Sequence, residues 1–354
     1  MSTTYAWNHE VASTTLSAYV KKIHDNISEH IPLYSILFGG KSPETGKPLA
    51  KRKPKKQHGG KEIIIPMRYK RSGTVASVGE WEPDAPSHIA GVAHGTARWK
   101  YYRGTTAISW QMRQQNAGKH QVVSLLEDLK DDLINGFKES INTALIGNGT
   151  GNSGKDMLGL AAYIERAPIT SSLLGISKAT QLWFRNKYGA DLPAGDYSAA
   201  FLTGGQGIKD MRRMYHKCGY SAKGAGSSLE YPDYILCSLG NYEGYEALAY
   251  ELRRISEIKK TDLGFSGLRF KDATMLYTPG LDDGPENSTS KQMWLNSLHI
   301  YPVVDPSWFF KMDPFNAVSM YQRQDMVATT YLATQMCGDN VSRQGYLEWT
   351  SDTN

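Results

Sequence analysis

Apolar residues recur through the middle of the chain at Val122, Leu126, Leu129, Leu133, Phe137, Ile141 and Leu145. Steps of three and four residues keep them on one stripe of a helix with period 3.6. Gly147, Asn148 and Gly149 follow, residue types that adopt the left-handed conformation at a helix C-terminus. The pattern predicts a helix from residue 118 into that turn, roughly 28 residues and about 42 Å long. That exceeds most globular helices. A shorter stripe at Leu16, Val20, Ile23, Ile27 and Ile31 predicts another helix, closed by Pro32, which cannot continue the hydrogen-bond ladder. It is too short to form its own core and reads as an arm.

Between these helices the pattern changes. Residues 41–62 are polar and rich in Pro and Lys, a composition expected to be exposed and mobile. Residues 62–75 and 96–112 are rich in β-branched and aromatic types and each reads as a strand, with turn-forming residues over 79–91. Residues 41–112 thus predict a long two-stranded excursion. An isolated ribbon of two strands is marginal in water, so a partner surface is expected, from another subunit.

Beyond the long helix, residues 155–300 alternate. Segments 180–189, 207–219 and 240–255 read as helices, and PDYILCS at 232–238 as a short buried strand. Segments 268–280 and 292–304 read as strands around a polar loop at 281–291, and 315–338 and 344–351 as further strands. The fold class predicted is α+β, with a mixed α/β layer and a β-rich C-terminus.

Composition narrows the function classes. The chain has 354 residues, 40% hydrophobic and 21% charged, enough for two domains or one elaborated domain with a packed core. Tyr outnumbers Phe, 21 to 9, which suits half-buried surfaces and interfaces. The net charge of +5 falls short of a dedicated DNA-binding domain. Much of the excess sits in Lys51, Arg52, Lys53, Lys55, Lys56 and Lys61. This run reads as a solvated loop tip, a nuclear localisation signal or nucleic-acid patch, or a contact for acidic residues of a neighbouring subunit. It has no interleaved aromatics for base stacking. Three widely spaced cysteines, Cys218, Cys237 and Cys337, argue against a disulfide framework and for a reducing compartment. The first ten residues show no secretory pattern and no run of eighteen apolar residues exists, so a soluble protein made in a cytoplasm is expected, with no membrane partner.

No segment assembles catalytic chemistry. Residues Gly149 to Asp156 nearly match a P-loop, but Asp156 stands where a magnesium-binding Ser or Thr is needed, and the motif follows a helix where it should join a strand to one. A helix-ending turn is the simpler reading. His58, His88, His94 and His120 form no metal motif with cysteines. Glu127, Asp128, Asp131, Asp132 and Glu139 line the wet side of the long helix, the ordinary place for charge. Cys218 follows Lys217 without a placeable His and Asn. No catalytic, metal or cofactor residues are assigned.

The order of parts resembles the major capsid protein of tailed bacteriophages, with its Hong Kong phage-like shell fold. The stretch ALIGNGTGNSGKDMLGLAAYI, residues 144–164, is similar to that family's passage from spine helix to axial domain, where GL and a short apolar strand follow a Gly/Asn-rich turn. YPDYILCS before a Tyr-rich helix, and the β-rich region after Pro314, are similar too. The resemblance implies an N-terminal arm (1–40), an extended β-ribbon loop (41–112), a peripheral domain with the spine helix (113–150) and an axial domain (151–307). Peripheral-domain strands (308–338) and a C-terminal strand (339–354) complete it. It also implies self-assembly as hexamers and pentamers into an icosahedral shell around double-stranded DNA, in a virion assembled in a bacterial cytoplasm. A scaffolding protein, portal and decoration protein are implied partners, the scaffold separate or absent because no long helical segment precedes the arm. Lysine–asparagine crosslinking is not expected, since no matched Asn and carboxylate stand out. Lys51, Arg52, Lys53, Lys55 and Lys56 become candidates for intersubunit or DNA contacts. Three other readings stay open: a cellular encapsulin-type nanocompartment shell, a nucleotide-binding protein using 149–155, and a nucleic-acid-binding protein using 51–56.

Overall fold

The computed structural model describes residues 32–41, 48–71, 75, 77–81, 83, 90–115, 125–189, 206–219, 230–251, 268–282, 289–317 and 326–350. The arm helix predicted over 16–31, the residues 118–124, and His88 and His120 lie outside them. In chain order the elements are α1 (Pro32–Leu37), β1 (Lys55–Lys56), β2 (Glu62–Arg68), β3 (Val92–Arg98), β4 (Lys100–Ile108), α2 (Trp110–Gln115) and α3 (Leu125–Ile146). Then come α4 (Leu160–Tyr163), β5 (Ser172–Leu173), β6 (Ile176–Ser177), α5 (Gln206–Cys218), β7 (Tyr234–Cys237) and α6 (Leu239–Glu251). The chain continues through β8 (Leu268–Phe270), β9 (Ala273–Tyr277), β10 (Thr289–Leu295), β11 (Ile300–Ala317), β12 (Met326–Gly338) and β13 (Gly345–Thr350).

The long helix forms as the stripe predicts. Phe137, Ile141 and Leu145 are buried and Leu133 packs against the same core, each full burial worth about 1.5–3 kcal/mol. This face lies on β4, where Gly104 has no side chain to hold the helix away. A Cβ there would stand 2.7 Å from both Leu133 Cδ1 and Phe137 Cε2. α1 packs on the same helix, and the Tyr34 amide in its first turn donates to Asn142 Oδ1 at 3.3 Å. Pro32 opens α1, because a proline at the first helical position loses no intrahelical bond; the helix predicted to end there lies outside the described residues.

Two sheets share the core. One is ordered β1-β11-β12-β4 and the other β13-β10-β7-β9-β8. The four residues of β7 are all buried. Ile235 and Cys237 face the smaller core with α5, while Tyr234 and Leu236 face the main core, which is why YILC reads as an unbroken apolar run. β11 passes through residue 307, so the division of domains expected there falls inside one strand. Its register against β12 shifts between Val304 and Phe309. Pro306 lies in that interval, and a proline cannot donate to a ladder.

Several elements differ from the sequence reading. The segment 96–112 divides after Arg98. β3 completes the ribbon with β2, whereas β4 joins β12 in the four-stranded sheet. Segment 268–280 is a hairpin, β8–β9, turning at Lys271. Segment 292–304 breaks at Asn296–His299, where the Asn296 amide and side chain bond to Gln344 and Glu230. Segment 180–189 forms a single 3-10 turn, Leu182–Phe184, since its three apolar residues are consecutive and do not repeat at helical spacing. The short apolar strand expected after Gly159 is instead the helical turn α4.

The ribbon is also not unsupported. Ile63, Ile65 and Met67 are buried on one face. That face packs against the β5–β6 hairpin of the same chain, whose turn residues Leu174 and Gly175 have φ of 55° and 79°, as a tight two-residue hairpin requires. The Thr96 amide donates to the Leu174 carbonyl at 2.9 Å, and Tyr69 stacks on Trp183 at 5.4 Å. The covering surface predicted from another subunit is supplied, for this face, within the chain.

Candidate functional site

The glycine-rich segment after the spine is closed on itself. Asn152 and Ser153 have φ of 48° and 57°, Gly149 and Gly154 of 83° and 76°. The Thr150 amide donates to Asn148 Oδ1 at 3.1 Å, and the amides of Gly154, Lys155 and Asp156 to the carbonyls of Thr150, Asn152 and Gly151. The next amides, Met157 and Leu158, donate to Tyr102 Oη at 3.0 Å and Gln335 Oε1 at 2.9 Å. A phosphate cradle needs those donors unspent, so the segment is a helix-ending turn. It borders a groove of about 560 Å³ along α3 that includes Glu139, Ser140, Thr143 and Asp156, whose carboxylates would repel a nucleotide. Asp131 and Asp132 are exposed on the wet side of α3. His58 Nδ1 lies 3.4 Å from Ser307 Oγ, and His94 is exposed on β3. Among the described residues no three His, Cys, Asp or Glu converge as metal ligands. Cys218, Cys237 and Cys337 are buried, and burial pushes the Cys237 thiol well up and the Cys337 thiol up to about 12.

The basic run is ordered along a sheet edge, where the sequence reading expected a mobile tip. Lys55 and Lys56 pair in parallel with Val303 and Val304 of β11. Lys51 donates its amide to Ser297 Oγ at 2.7 Å and its ammonium to the Tyr231 carbonyl at 2.7 Å. Arg52 Nη1 meets Asp339 Oδ2 at 2.6 Å, its guanidinium lying 3.6 Å from the Tyr301 ring centre. His299 sits between Asp339 Oδ1 at 2.8 Å and Glu230 Oε2 at 3.0 Å. Burial alone would raise the Asp339 carboxyl; the hydrogen bonds and charges of His299 and Arg52 outweigh it and hold Asp339 below the ordinary range. Burial raises Asp233, against the pull of Lys51 and Ser297. Lys51 and Arg52 thus help tie the two sheets together at the Asn296–His299 turn, leaving Lys53, Lys55 and Lys56 exposed. The sequence showed the cations but not their carboxylates: Arg52 and Asp339 are far apart in the chain, and no local spacing joins them.

A second ion pair, its lysine fully buried, was equally invisible. Lys178, fully buried, donates to the Ala162 carbonyl at 3.0 Å and to Glu165 Oε1 at 2.8 Å. Burial lowers its pKa, opposed by Glu165.

Among the described residues, exposed apolar side chains include two groups on strand faces. The outer ribbon face pairs Ile64 with Thr96 and Arg68 with Val92, Ile64 and Val92 being 59% and 57% exposed, and near the ribbon Trp81 is 95% exposed. The outer face of the four-stranded sheet carries Tyr101, 74% exposed, and Trp308, edge-on to Tyr331 at 5.7 Å.

No family model matches the sequence, and no curated protein does. The fold has relatives among solved structures. A chain of the capsid asymmetric unit of cyanophage A-1(L) is 14% identical, matching over 98% of this chain and 99% of that one with a TM-score of 0.62. A chain from the head of Helicobacter pylori bacteriophage KHP40 is 9% identical over 94% of each chain, with a TM-score of 0.55. A chain from the capsid of an empty GTA particle is 8% identical over 93% of this chain and 100% of that one, with a TM-score of 0.52. The α+β fold of this chain is the fold of phage capsid subunits, as the sequence resemblance implied.

Proposed function

We propose that the chain is a major capsid protein. Copies of it, as hexamers and pentamers, build the icosahedral shell that encloses the double-stranded DNA of a tailed bacteriophage. The observation that carries this reading is the end-to-end likeness to a cyanophage capsid chain, covering 98% of this chain and 99% of that one. A likeness that runs the length of both chains supports a use of the whole fold over a use of one domain. The exposed apolar faces supply what assembly needs, many modest contacts repeated by symmetry.

On this reading the protein is structural and not an enzyme, resides in the virion, and is assembled in the bacterial host cytoplasm. A separate scaffolding protein, a portal and a decoration protein are its partners besides itself, and packaged DNA is held without sequence preference. Lys53, Lys55 and Lys56 are available for intersubunit contact, and Lys51 and Arg52 act by holding the loop base in place.

Electron microscopy of the purified protein, with sedimentation, tests the proposal. Closed shells or hexameric and pentameric rings are expected, with a separate scaffold added where assembly requires it. A monomer that stays monomeric at high concentration with and without scaffold would overturn it. Shells that enclose a protein cargo and no DNA would favour the nanocompartment reading.

A further inference from the structure

Among the described residues a second group of cations lies away from the run at 51–56, with Arg213 of that group paired to Asp210 at 3.4 Å. Helix α5 buries Met211, Met214, Tyr215 and Cys218. Its opposite side carries Lys209, Arg212, Arg213, His216 and Lys217, the spacing that puts them on one face. Beside it stand Arg269 of β8 and Lys271 of the β8–β9 turn. Across α5, β8, the turn and β9 there are six Lys and Arg against two Asp, Asp210 and Asp272, a net of +4 beside +5 for the whole chain.

The surroundings of Lys271 and the partners of these cations bear on what the face can bind. Lys271 has φ of 53°, a conformation that Gly or Asn adopts more readily than lysine; the strained turn carries its side chain over α5. There its ammonium lies 4.6 Å from the Tyr215 ring centre and within hydrogen-bond distance, 2.9 Å, of His216 Nε2, while Tyr215 Oη donates to Asp272 Oδ2 at 3.1 Å. Partial burial and the charge of Arg212 hold the Lys271 ammonium below its ordinary value, against the pull of Asp272. Among the described residues no carboxylate lies within ion-pair distance of Lys209, Arg212, Lys217 or Lys271.

From this cluster we infer that the basic face of α5, with Lys271, seats the phosphodiester backbone of double-stranded DNA. The inference rests on the shell reading for its partner and gives that reading a DNA-contacting surface. A protein partner fits less well: protein interfaces have an apolar centre, and no large apolar residue of α5, β8 or β9 is exposed. From Lys209 to His216 the helix rises about 10 Å, roughly three base-pair steps of phosphates. These side chains offer charge without a base-reading geometry, so binding is expected to be independent of sequence and steeply salt-dependent.

The test is fluorescence anisotropy of the full unassembled chain with a labelled DNA duplex over a potassium chloride series. The variant Lys209→Gln/Arg212→Gln/Lys271→Asn is expected to lower the slope of log K against log salt by roughly 0.9 for each phosphate it no longer neutralises. Lys53→Gln/Lys55→Gln/Lys56→Gln is expected to leave most of the slope in place. Lys271→Asn alone should raise the melting temperature, because Asn tolerates the turn conformation, while reducing the slope by the share of a single phosphate; a purely structural lysine would not move the two in opposite directions. An unchanged slope in the α5 triple variant, or tighter binding to polyglutamate than to DNA, would overturn the inference. Micrographs of the same proteins keep the readings apart. Normal shells from the α5 variant, with the slope reduced, support both, while absence of shells from the unaltered chain with and without scaffold counts against the shell reading and leaves the slope measurement to judge the seat.

Discussion

Arg52 and Lys178 are each, in sequence, a cation with no local acidic partner, and the structure gives them different energetics. Arg52 and its partner Asp339 are about one-third exposed, with side-chain exposures of 33% and 31%, so solvent screens much of their attraction. What remains is a charged hydrogen bond and the stacking on Tyr301. Arg52→Ala is expected to cost about 1–2 kcal/mol at neutral pH, read by urea unfolding of the unassembled protein. Asp339 is held below its ordinary value of 3.8. A depressed carboxyl contributes stability that is full above the unfolded value and is lost as pH falls through the lower folded one. The penalty of Arg52→Ala should therefore shrink as the medium is taken below about pH 3.8; a penalty that does not change in acid would show the interaction to be packing alone. Lys178 is buried, and removing it strands Glu165, which is hydrogen-bonded by Ser171 as well. Lys178→Met should cost about 3 kcal/mol, and adding Glu165→Gln should recover part of it, because the stranded charge is then gone. If the double variant is no more stable than Lys178→Met, the charge was not the source of the cost.

At the scale of elements, what could be read from sequence was what a periodic stripe or a continuous apolar run betrays. α3 was legible because Leu133, Phe137, Ile141 and Leu145 all face one core, and β7 because it is buried on both sides. The breaks were not legible where no Gly or Pro marks them. The chain turns at Lys271 by accepting a positive φ, and at Asn296 by bonding to Gln344, distant in sequence. Trp99 separates two strands that join different sheets, a partition decided by partners and not by local propensity. Gly159 was legible only as part of a glycine-rich turn, and its packing role is sharper than that. A Cβ there would fall on the carbonyl oxygens of Ala144 and Gly147, where the spine ends. Backbone cannot move aside as a side-chain tip can, so Gly159→Ala is expected to destabilise by about 3 kcal/mol. By contrast Gly154→Ala has open space around it and suffers only from its left-handed conformation, about 1 kcal/mol. Thermal melts of the pair should rank them in that order; equal losses would mean that the close approach at Gly159 is relieved by movement of the turn.

For the whole molecule the decisive asymmetry lies in the ribbon. Its inner face is satisfied within the chain by the β5–β6 hairpin, so a lone subunit can fold with the ribbon in place. Its outer face, with Ile64 and Val92 in water, gives the lone subunit nothing. If that face is there for neighbouring copies, stability and assembly should separate cleanly. Ile64→Thr with Val92→Thr keeps β-branched side chains suited to a strand and removes apolar surface at positions already exposed, so the melting temperature of the unassembled protein should barely change. Each change would forfeit about 1–2 kcal/mol of apolar burial wherever the face is covered, roughly tenfold in an association constant for every 1.4 kcal/mol. The loss recurs at every copy of the contact, so closed shells should require a far higher protein concentration or fail to form. Light scattering during assembly, with micrographs of the product, gives the answer. Shells forming at the original concentration would mean that the ribbon's outer face is not an assembly surface, and would turn attention to Tyr101 and Trp308 on the four-stranded sheet.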